Sequence, residues 1–240
     1  MPNGMRFRSA TYLPGTHTIA LSALNGIHLY DCESGRHRGI LEEEAGDRSV
    51  LASDLSGKWL AGSGDHRMVR VWSVERMKLL WQLPGHQGKV LGLVFTPDGQ
   101  GVFSSSADKT IKLWNLRTGK LVKTLVGHSK AVGVLALSGD RLASGSFDTG
   151  IKLWHWQTGK LMRTLIGHGS EVTALAFGAG MLASGDSQGK IYLWHVRTGQ
   201  ALAVLEGHGD RITGLAFGEG GRCLISGSQD RFVRVWRPET

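Results

Sequence analysis

Four glycine-histidine pairs recur along this chain at near-constant intervals, and this spacing constrains the fold more than any other feature. The histidines of the pairs are 42, 40 and 40 residues apart, at His86, His128, His168 and His208. Between 26 and 28 residues after each histidine, a tryptophan ends a short apolar run. A fixed period in this range is typical of repeat architectures. A residue that returns in four equivalent places is expected in a framework rather than in a single active site.

Each repeat divides into four short apolar runs. Between Lys120 and Trp154 the runs are LVKTL, AVGVLAL, RLASGS and IKLW, and turn residues such as Gly, Ser and Asp separate them. The runs are too short for ordinary helices, and several alternate between apolar and polar residues, which indicates strands joined as hairpins. The sequence therefore predicts an all-β chain in which each repeat forms a four-stranded antiparallel sheet.

An aromatic residue closes each repeat and recurs six times, at intervals of 40 or 42 residues. These closing aromatics are Tyr30, Trp72, Trp114, Trp154, Trp194 and Trp236. Together with the Gly-His pair and a Ser-Gly-Ser-x-Asp turn, the pattern resembles the WD-repeat β-propeller family. The Asp that follows Trp in that family is present only as Asp31, after Tyr30. The resemblance implies one propeller domain over residues 1–240, with about six blades near residues 6–41, 47–82, 89–125, 131–165, 171–205 and 211–237.

The resemblance also implies a hydrogen-bonded tetrad of His, Ser, Asp and Trp in each blade that keeps the motif. Three such sets are complete in this sequence: His86, Ser104, Asp108 and Trp114; His128, Ser144, Asp148 and Trp154; and His208, Ser226, Asp230 and Trp236. We expect these tetrads to be structural, because a buried imidazole between a carboxylate and a hydroxyl has both nitrogens satisfied.

The remaining copies depart from the tetrad pattern. Between the second and third complete sets, His168, Ser184 and Trp194 match, but Gln188 stands at the position of the Asp. In the second repeat Glu44, Gly62 and His66 replace His, Ser and Asp, and the first repeat has no recognisable tetrad.

The composition gives no support for catalysis or a metal site. Ser, His and Asp recur with a Trp partner in several copies, which fits a structural network better than a catalytic triad. His155 and His195 occupy equivalent positions, but zinc needs three or four converging ligands. We therefore expect no enzyme activity, no catalytic residue, no metal and no cofactor. Two cysteines, the lack of a long apolar run and an N-terminus unlike a signal peptide predict a cytoplasmic protein.

The last repeat lacks a run for a fourth strand, which gives about 23 strands in total. Three arrangements remain open: a six-bladed ring with one thin blade, a fragment of a longer and possibly seven-bladed chain, or an arc that pairs with another molecule. The third would allow self-association through the open edge of the last blade.

The function that the resemblance implies is a scaffold or adaptor for other proteins, which binds through the face that carries the loops after Gly-His. These loops differ between repeats, and the candidate partner-binding residues are Phe147, Lys89, Lys130, Glu171, Asp210, Arg211 and Asp65. Phe147 is either an exposed binding residue or a ring folded over its own blade. The alternative function is binding of nucleic acid or another polyanion, since the net charge is +8. The cations are dispersed, however, which favours a solvated surface.

Overall fold

Six antiparallel sheets make up the protein, whose computed structural model describes residues 7–41, 50–63 and 67–237. The chain divides into two compact units, Met1–Val126 and Gly127–Thr240, and each unit contains three sheets. In every sheet, strands that are consecutive in sequence pair as neighbours. We call the sheets blades one to six in chain order. The expectation of a single domain over residues 1–240 stays a prediction.

The first unit contains blades one to three, each with four strands. The strands of blade one are β1 (Phe7–Leu13), β2 (Thr18–Ala23), β3 (Gly26–Asp31) and β4 (His37–Ile40). Those of blade two are β5 (Leu51–Ser53), β6 (Trp59–Ser63), β7 (Val69–Ser73) and β8 (Lys78–Leu83). Those of blade three are β9 (Val90–Phe95), β10 (Gly101–Ser106), β11 (Thr110–Asn115) and β12 (Lys120–Val126).

The second unit contains blades four to six. The strands of blade four are β13 (Val132–Ser138), β14 (Arg141–Ser146), β15 (Ile151–His155) and β16 (Lys160–Leu165). Those of blade five are β17 (Val172–Gly178), β18 (Met181–Asp186), β19 (Ile191–His195) and β20 (Ala201–Leu205). Those of blade six are β21 (Ile212–Gly218), β22 (Cys223–Ser228) and β23 (Val233–Trp236), with a 3₁₀ turn at Glu219–Gly221 before β22. The described residues therefore hold 23 strands, and blade six has three, as the apolar runs predict.

A register shift marks the closing aromatic wherever a fourth strand is described. In blades one to five the pairing of the third and fourth strands slips by one residue immediately before Tyr30, Trp72, Trp114, Trp154 or Trp194. The extra residue lies on the fourth strand: in blade three it is Val122, between Leu121, which pairs with Trp114, and Lys123, which pairs with Leu113. Such a bulge locally increases the twist of a sheet, so blades one to five share this irregularity beside the closing aromatic.

The core lies between the faces of successive blades inside each unit. In the second unit, Val172 of β17 packs against blade four, and Ile212 of β21 packs against blade five. Both meet a glycine: a Cβ atom on Gly145 would lie 2.5 Å from Val172, and one on Gly185 would lie 2.6 Å from Ile212. The glycines of β14 and β18 therefore allow the first strand of the next blade to approach closely.

Candidate functional site

Blades three, four and six each contain a complete chain of hydrogen bonds between the four residues of the tetrad. The distance from the histidine Nδ1 to the aspartate Oδ2 is 2.8 Å for His86, 2.9 Å for His128 and 2.7 Å for His208. The histidine Nε2 lies 2.8 Å from the serine Oγ in all three. The Nε1–H of the tryptophan donates to the same Oγ over 2.8–2.9 Å.

One protonation pattern satisfies every group in this chain. The serine Oγ accepts from the tryptophan and donates to Nε2, which leaves Nδ1–H to donate to an ionised carboxylate. The imidazole is then neutral. A second proton on Nε2 would leave the serine hydroxyl without its acceptor, so the tetrad favours the neutral ring.

The pKa shifts of the tetrad residues in blades three and four agree with this protonation pattern. Desolvation lowers the pKa of His86 and His128 below the ordinary 6.5, and it outweighs the attraction of Asp108 and Asp148. Burial by itself raises the pKa of Asp108, but hydrogen bonds from Thr110, Gln87 and His86 outweigh it and lower the value to about 2. The tetrads of blades three and four therefore hold a neutral histidine beside a carboxylate at neutral pH.

The carboxylate also joins two loops of its blade. Asp148 accepts hydrogen bonds from the backbone amide of Ser129, in the loop after Gly-His, and from the amide of Gly150, in the turn before β15. Asp108 and Asp230 accept the corresponding amide bonds in blades three and six. The tetrad thus fixes the loop after Gly-His to the rigid part of the blade.

Blade five corrects the expectation that Gln188 replaces the carboxylate. Asp186, at the end of β18, lies two residues earlier, and its Oδ2 accepts from His168 Nδ1 over 2.8 Å. The rest of the tetrad is standard, since His168 Nε2 and Trp194 Nε1 lie 2.7 and 2.8 Å from Ser184 Oγ. Gln188 is exposed, whereas Asp186 is 1% exposed. Blade five therefore has a full tetrad with a displaced aspartate.

Asp186 also stabilises the turn after β18, a role that a serine has in the other blades with a tetrad. In blades three, four and six a serine stands at this position, and its Oγ accepts the backbone amide two residues later, as Ser146 does from Asp148 over 3.0 Å. Asp186 makes the same bond through Oδ1, which accepts from the amide of Gln188 over 2.9 Å. One carboxylate replaces a serine and an aspartate, because its two oxygens serve the turn and the histidine separately. The sequence does contain a signal for this replacement: blade five has Asp186 and Gln188 where blade four has Ser146 and Asp148.

In the described part of the chain, blade one has no tetrad, as the sequence predicts, and blade two keeps only Trp72 of the four positions. In blade one the aromatic rings of Tyr30, His28 and Phe7 cluster, and His28 Nδ1 lies 3.2 Å from His37 Nε2. Desolvation, and then the charge of His37, lowers the pKa of His28. In blade two the Trp72 ring is fully buried and fills the space beside Gly62 that a serine side chain would need. Glu44 and His66 lie outside the described residues.

The predicted partner-binding positions lie on loops that the backbone ties together in pairs. In each of blades three to six, the residue before the predicted Asp position donates its amide to a carbonyl three residues after the Gly-His histidine. The pairs are Ala107 to Lys89, Phe147 to Ala131, Ser187 to Glu171 and Gln229 to Arg211. Each bond joins two loops of one blade into what we call its loop edge, and the side chains at this edge differ from blade to blade.

Phe147 is the ring folded over its own blade rather than a freely exposed one. It is half-buried, and a Cβ atom on Gly133 of β13 would lie 2.9 Å from its ring. Because Gly133 has no side chain, the ring covers the first strand of blade four and still keeps an exposed part. The sequence left this choice open, since a glycine two residues after Ala131 does not by itself show where the ring points.

The other predicted positions in the second unit lie on the corresponding loops of blades four, five and six. Lys130 and Asp210 are exposed, and Arg211 forms an ion pair with Glu171 over 3.5 Å, which joins the loops of blades five and six. Lys89 is an exposed residue of the first unit. Asp65 lies outside the described residues.

The histidines after the closing Trp and the repeated lysines make hydrogen bonds within their own blades. His155 and His195 accept the amides of Thr158 and Thr198 through Nδ1, so they cap the turns after β15 and β19. Lys112 and Lys152 donate to Thr124 and Thr164 of the neighbouring fourth strand. These contacts place the repeated cations along blade surfaces rather than in one basic cluster.

Four segments of the chain match a family model. The model described as WD domain, G-beta repeat matches residues 77–115, 119–155, 159–195 and 199–237, which together are more than half of the chain. The chain belongs to the WD-repeat family. The four matched segments each end at or just after the closing Trp of blades three to six, so the resemblance inferred from the sequence is confirmed.

Several curated proteins are similar to this WD-repeat chain over part of their length. Nuclear distribution protein PAC1-1 of Uncinocarpus reesii is 38% identical over 42% of this chain and 23% of its own length. COMPASS component SWD3 of Saccharomyces cerevisiae is 30% identical over 54% of this chain and 41% of its own length. Pre-mRNA-processing factor 19 of Bos taurus is 37% identical over 40% and 20%. The matches thus span less than half of these relatives.

A solved structure supports the fold. The crystal structure of the computationally designed Ika8 protein matches 97% of this chain and 71% of its own, with a TM-score of 0.80 and 28% identity. The all-β, β-propeller fold class with six blades, the last of three strands, is therefore confirmed. The described residues include no long apolar helix of the kind that crosses a membrane.

Proposed function

We propose that this WD-repeat chain is a non-catalytic scaffold that binds other proteins through the loops after Gly-His. The observation that carries the proposal is the contrast within each loop edge. The tetrad and the backbone bonds repeat in blades three to six, whereas the side chains that they present change from one blade to the next. Rigid scaffolds with variable loops are a common basis for binding.

The surface we assign to the partner in the second unit is the loop surface of Lys130, Phe147, Glu171, Asp210 and Arg211. Its chemistry suits a protein partner, because it combines a partly exposed aromatic ring with charges of both signs. Contact with Gly133 already orders Phe147, so binding loses little side-chain entropy there. Lys89 and Asp65 stay proposed partner-binding residues of the first unit.

The names of the relatives agree with a role in assemblies, since SWD3 is named as a component of COMPASS. For this chain the partner, the absence of catalysis, the absence of a cofactor and a cytoplasmic location remain predictions.

The test is affinity purification of the tagged chain from its source cells, with identification of bound proteins by mass spectrometry. We expect Phe147→Ala and Lys130→Glu to lose partners that the wild type retains. Leu202→Ala is the matched control, because Leu202 is 53% exposed on the outer strand of blade five, away from the loop surface. Equal recovery of the same partners by all four proteins would show that the loop surface is wrong.

The salt dependence of binding distinguishes a protein scaffold from a polyanion-binding protein. Complexes held by phosphate contacts weaken steeply as salt rises, because binding releases counterions. We expect the partners of the loop surface to survive moderate salt. Loss of all bound material at moderate salt, with nucleic acid in the low-salt eluate, would support the polyanion alternative instead.

A further inference from the structure

Blade six exposes a sheet face that is buried at the equivalent positions of blades four and five. Val233 is 72% exposed, whereas Ile191 and Ile151, at the same position in blades five and four, are fully buried. Ile225 is 38% exposed, and its counterparts Ala183 and Ala143 are fully buried. Val235, on the same face, is 51% exposed. We call Val233, Val235 and Ile225 the terminal face.

The second unit shows what covers this face when it is buried. The positions equivalent to the terminal face in blade five, Ala183 and Ile191, pack against Ile212 on the first strand of blade six. The corresponding positions in blade four pack against Val172 on the first strand of blade five. The shape and chemistry of the terminal face therefore fit the first strand of another blade of this type, with apolar side chains at the same spacing.

Blade one exposes such a first strand. Tyr12 of β1 pairs with Ile19, which pairs with Tyr30, and Phe217 of β21 has the same relation to Trp236 through Leu224. Phe217 packs into the interface between blades five and six. Tyr12, at the equivalent position, is 49% exposed, and Ala10 beside it on the same side of the strand is exposed too.

We propose that the terminal face of one molecule binds the first strand of blade one of a second copy, head to tail. Both halves of the contact are exposed in a single chain, and each matches a half that is buried between blades five and six. Burial of Val233, Val235, Ile225 and Tyr12 supplies the driving force. Because the two surfaces differ, the contact is heterologous. The proposal concerns a sheet face and is independent of the loop surface proposed for other partners.

The first test is the mass of the purified chain by sedimentation velocity across a dilution series. We expect the wild type to associate as its concentration rises. Val235→Asp and Tyr12→Asp should each weaken association by about tenfold or more, because a charge would be buried without a partner. Ile166→Asp is the control, since Ile166 is 83% exposed just after the outer strand of blade four. It should associate like the wild type.

A mixing experiment tests the head-to-tail arrangement. Val235→Asp retains an intact blade one and Tyr12→Asp retains an intact terminal face, so the mixture can form one wild-type contact. We expect each variant alone to be monomeric and the mixture to form a one-to-one dimer. The paired substitutions Val233→Thr and Val235→Thr, which keep the shape and β propensity of the strand, should weaken association without loss of fold by circular dichroism.

Three results overturn the proposal. The wild type stays monomeric at the highest concentration; or Val235→Asp or Tyr12→Asp associates with wild-type strength; or the variants are monomeric and their mixture is too. Association of Tyr12→Asp at wild-type strength, with Val235→Asp monomeric, would mean that the terminal face contacts itself in the second copy.

Discussion

Blades four and five have nearly the same frame but supply the tetrad carboxylate from different positions. In blade four Asp148 lies in the turn after β14, and Ser146 stabilises that turn. In blade five Asp186 ends β18 and carries out both tasks, while Gln188 is exposed. In both blades the acceptor oxygen is 2.8–2.9 Å from the histidine Nδ1.

The difference teaches that the constraint on the tetrad is physical rather than positional. A buried imidazole N–H must have an acceptor, and any residue whose carboxylate reaches it can serve. Comparison of repeats column by column misses such a replacement, because two columns change together.

The largest expected effect distinguishes the two carboxylates from Gln188. We expect Asp186→Ala to reduce the free energy of unfolding by about 3 kcal/mol and Asp148→Ala by about 2 kcal/mol, because each orphans a buried histidine N–H and the side chain of Asp186 is 1% exposed against 13% for Asp148. Gln188→Ala should change it by less than about 0.5 kcal/mol. Urea unfolding of the three variants measures this order, and a loss for Gln188→Ala that equals the loss for Asp186→Ala would contradict it.

A transplant sharpens the same comparison. Asp186→Ser together with Gln188→Asp gives blade five the arrangement of blade four, so the double variant should recover most of the stability that Asp186→Ser loses. We expect a coupling energy of about 1–2 kcal/mol in the double-mutant cycle. Additive effects of the two changes would show that the position of the carboxylate depends on more than these two residues.

The second prediction is a loss of stability in mild acid that blades four and five share. Burial lowers the folded-state pKa of His128 and His168 below 6.5, so the unfolded state binds more protons as the pH falls through that value. Stability is therefore full above about pH 6.5 and decreases below it, by up to about 1.4 kcal/mol per pH unit for each histidine. Asp108, with a pKa lowered to about 2, adds a further loss as the pH falls below 3.8.

Removal of one histidine at a time checks this prediction. His128→Gln and His168→Gln should each be less stable at pH 7 but show a shallower decrease between pH 6.5 and 5, and the two slopes should agree. An unchanged slope in both variants would assign the acid sensitivity to other groups.

The smallest expected effect concerns the surface of the two tetrads. Tyr192 of blade five stacks on Trp194 and donates to the carbonyl of Gly167, whereas Lys152 occupies this position in blade four and donates to Thr164. We expect Tyr192→Phe and Lys152→Met each to change the free energy of unfolding by about 0.5 kcal/mol or less, because both bonds face solvent. Thermal unfolding at one pH suffices, and a loss comparable to Asp148→Ala would place Tyr192 inside the network.

Periodicity was sufficient to predict the strands and most of the tetrads. The intervals between closing aromatics predicted six blades, and the missing run after Trp236 predicted the three-stranded blade six. The sets around His86, His128 and His208 were recognisable because their residues recur at fixed spacing. Asp186 was missed, because its column holds serine in the other copies and only side-chain reach shows that it contacts His168.

By itself, the sequence determined the repeat, the strand order and the residues that can satisfy a buried histidine, because these depend on short-range spacing and on the donors and acceptors of each side chain. The tertiary structure alone decided which side chains are buried against other elements. In the structure Phe147 lies over Gly133, and Asp186 rather than Gln188 stands beside His168. Val233 is exposed, whereas Ile191 at the equivalent position is buried. The physical reason is that burial depends on the neighbouring strand or blade, and identical local patterns do not specify whether a neighbour is present.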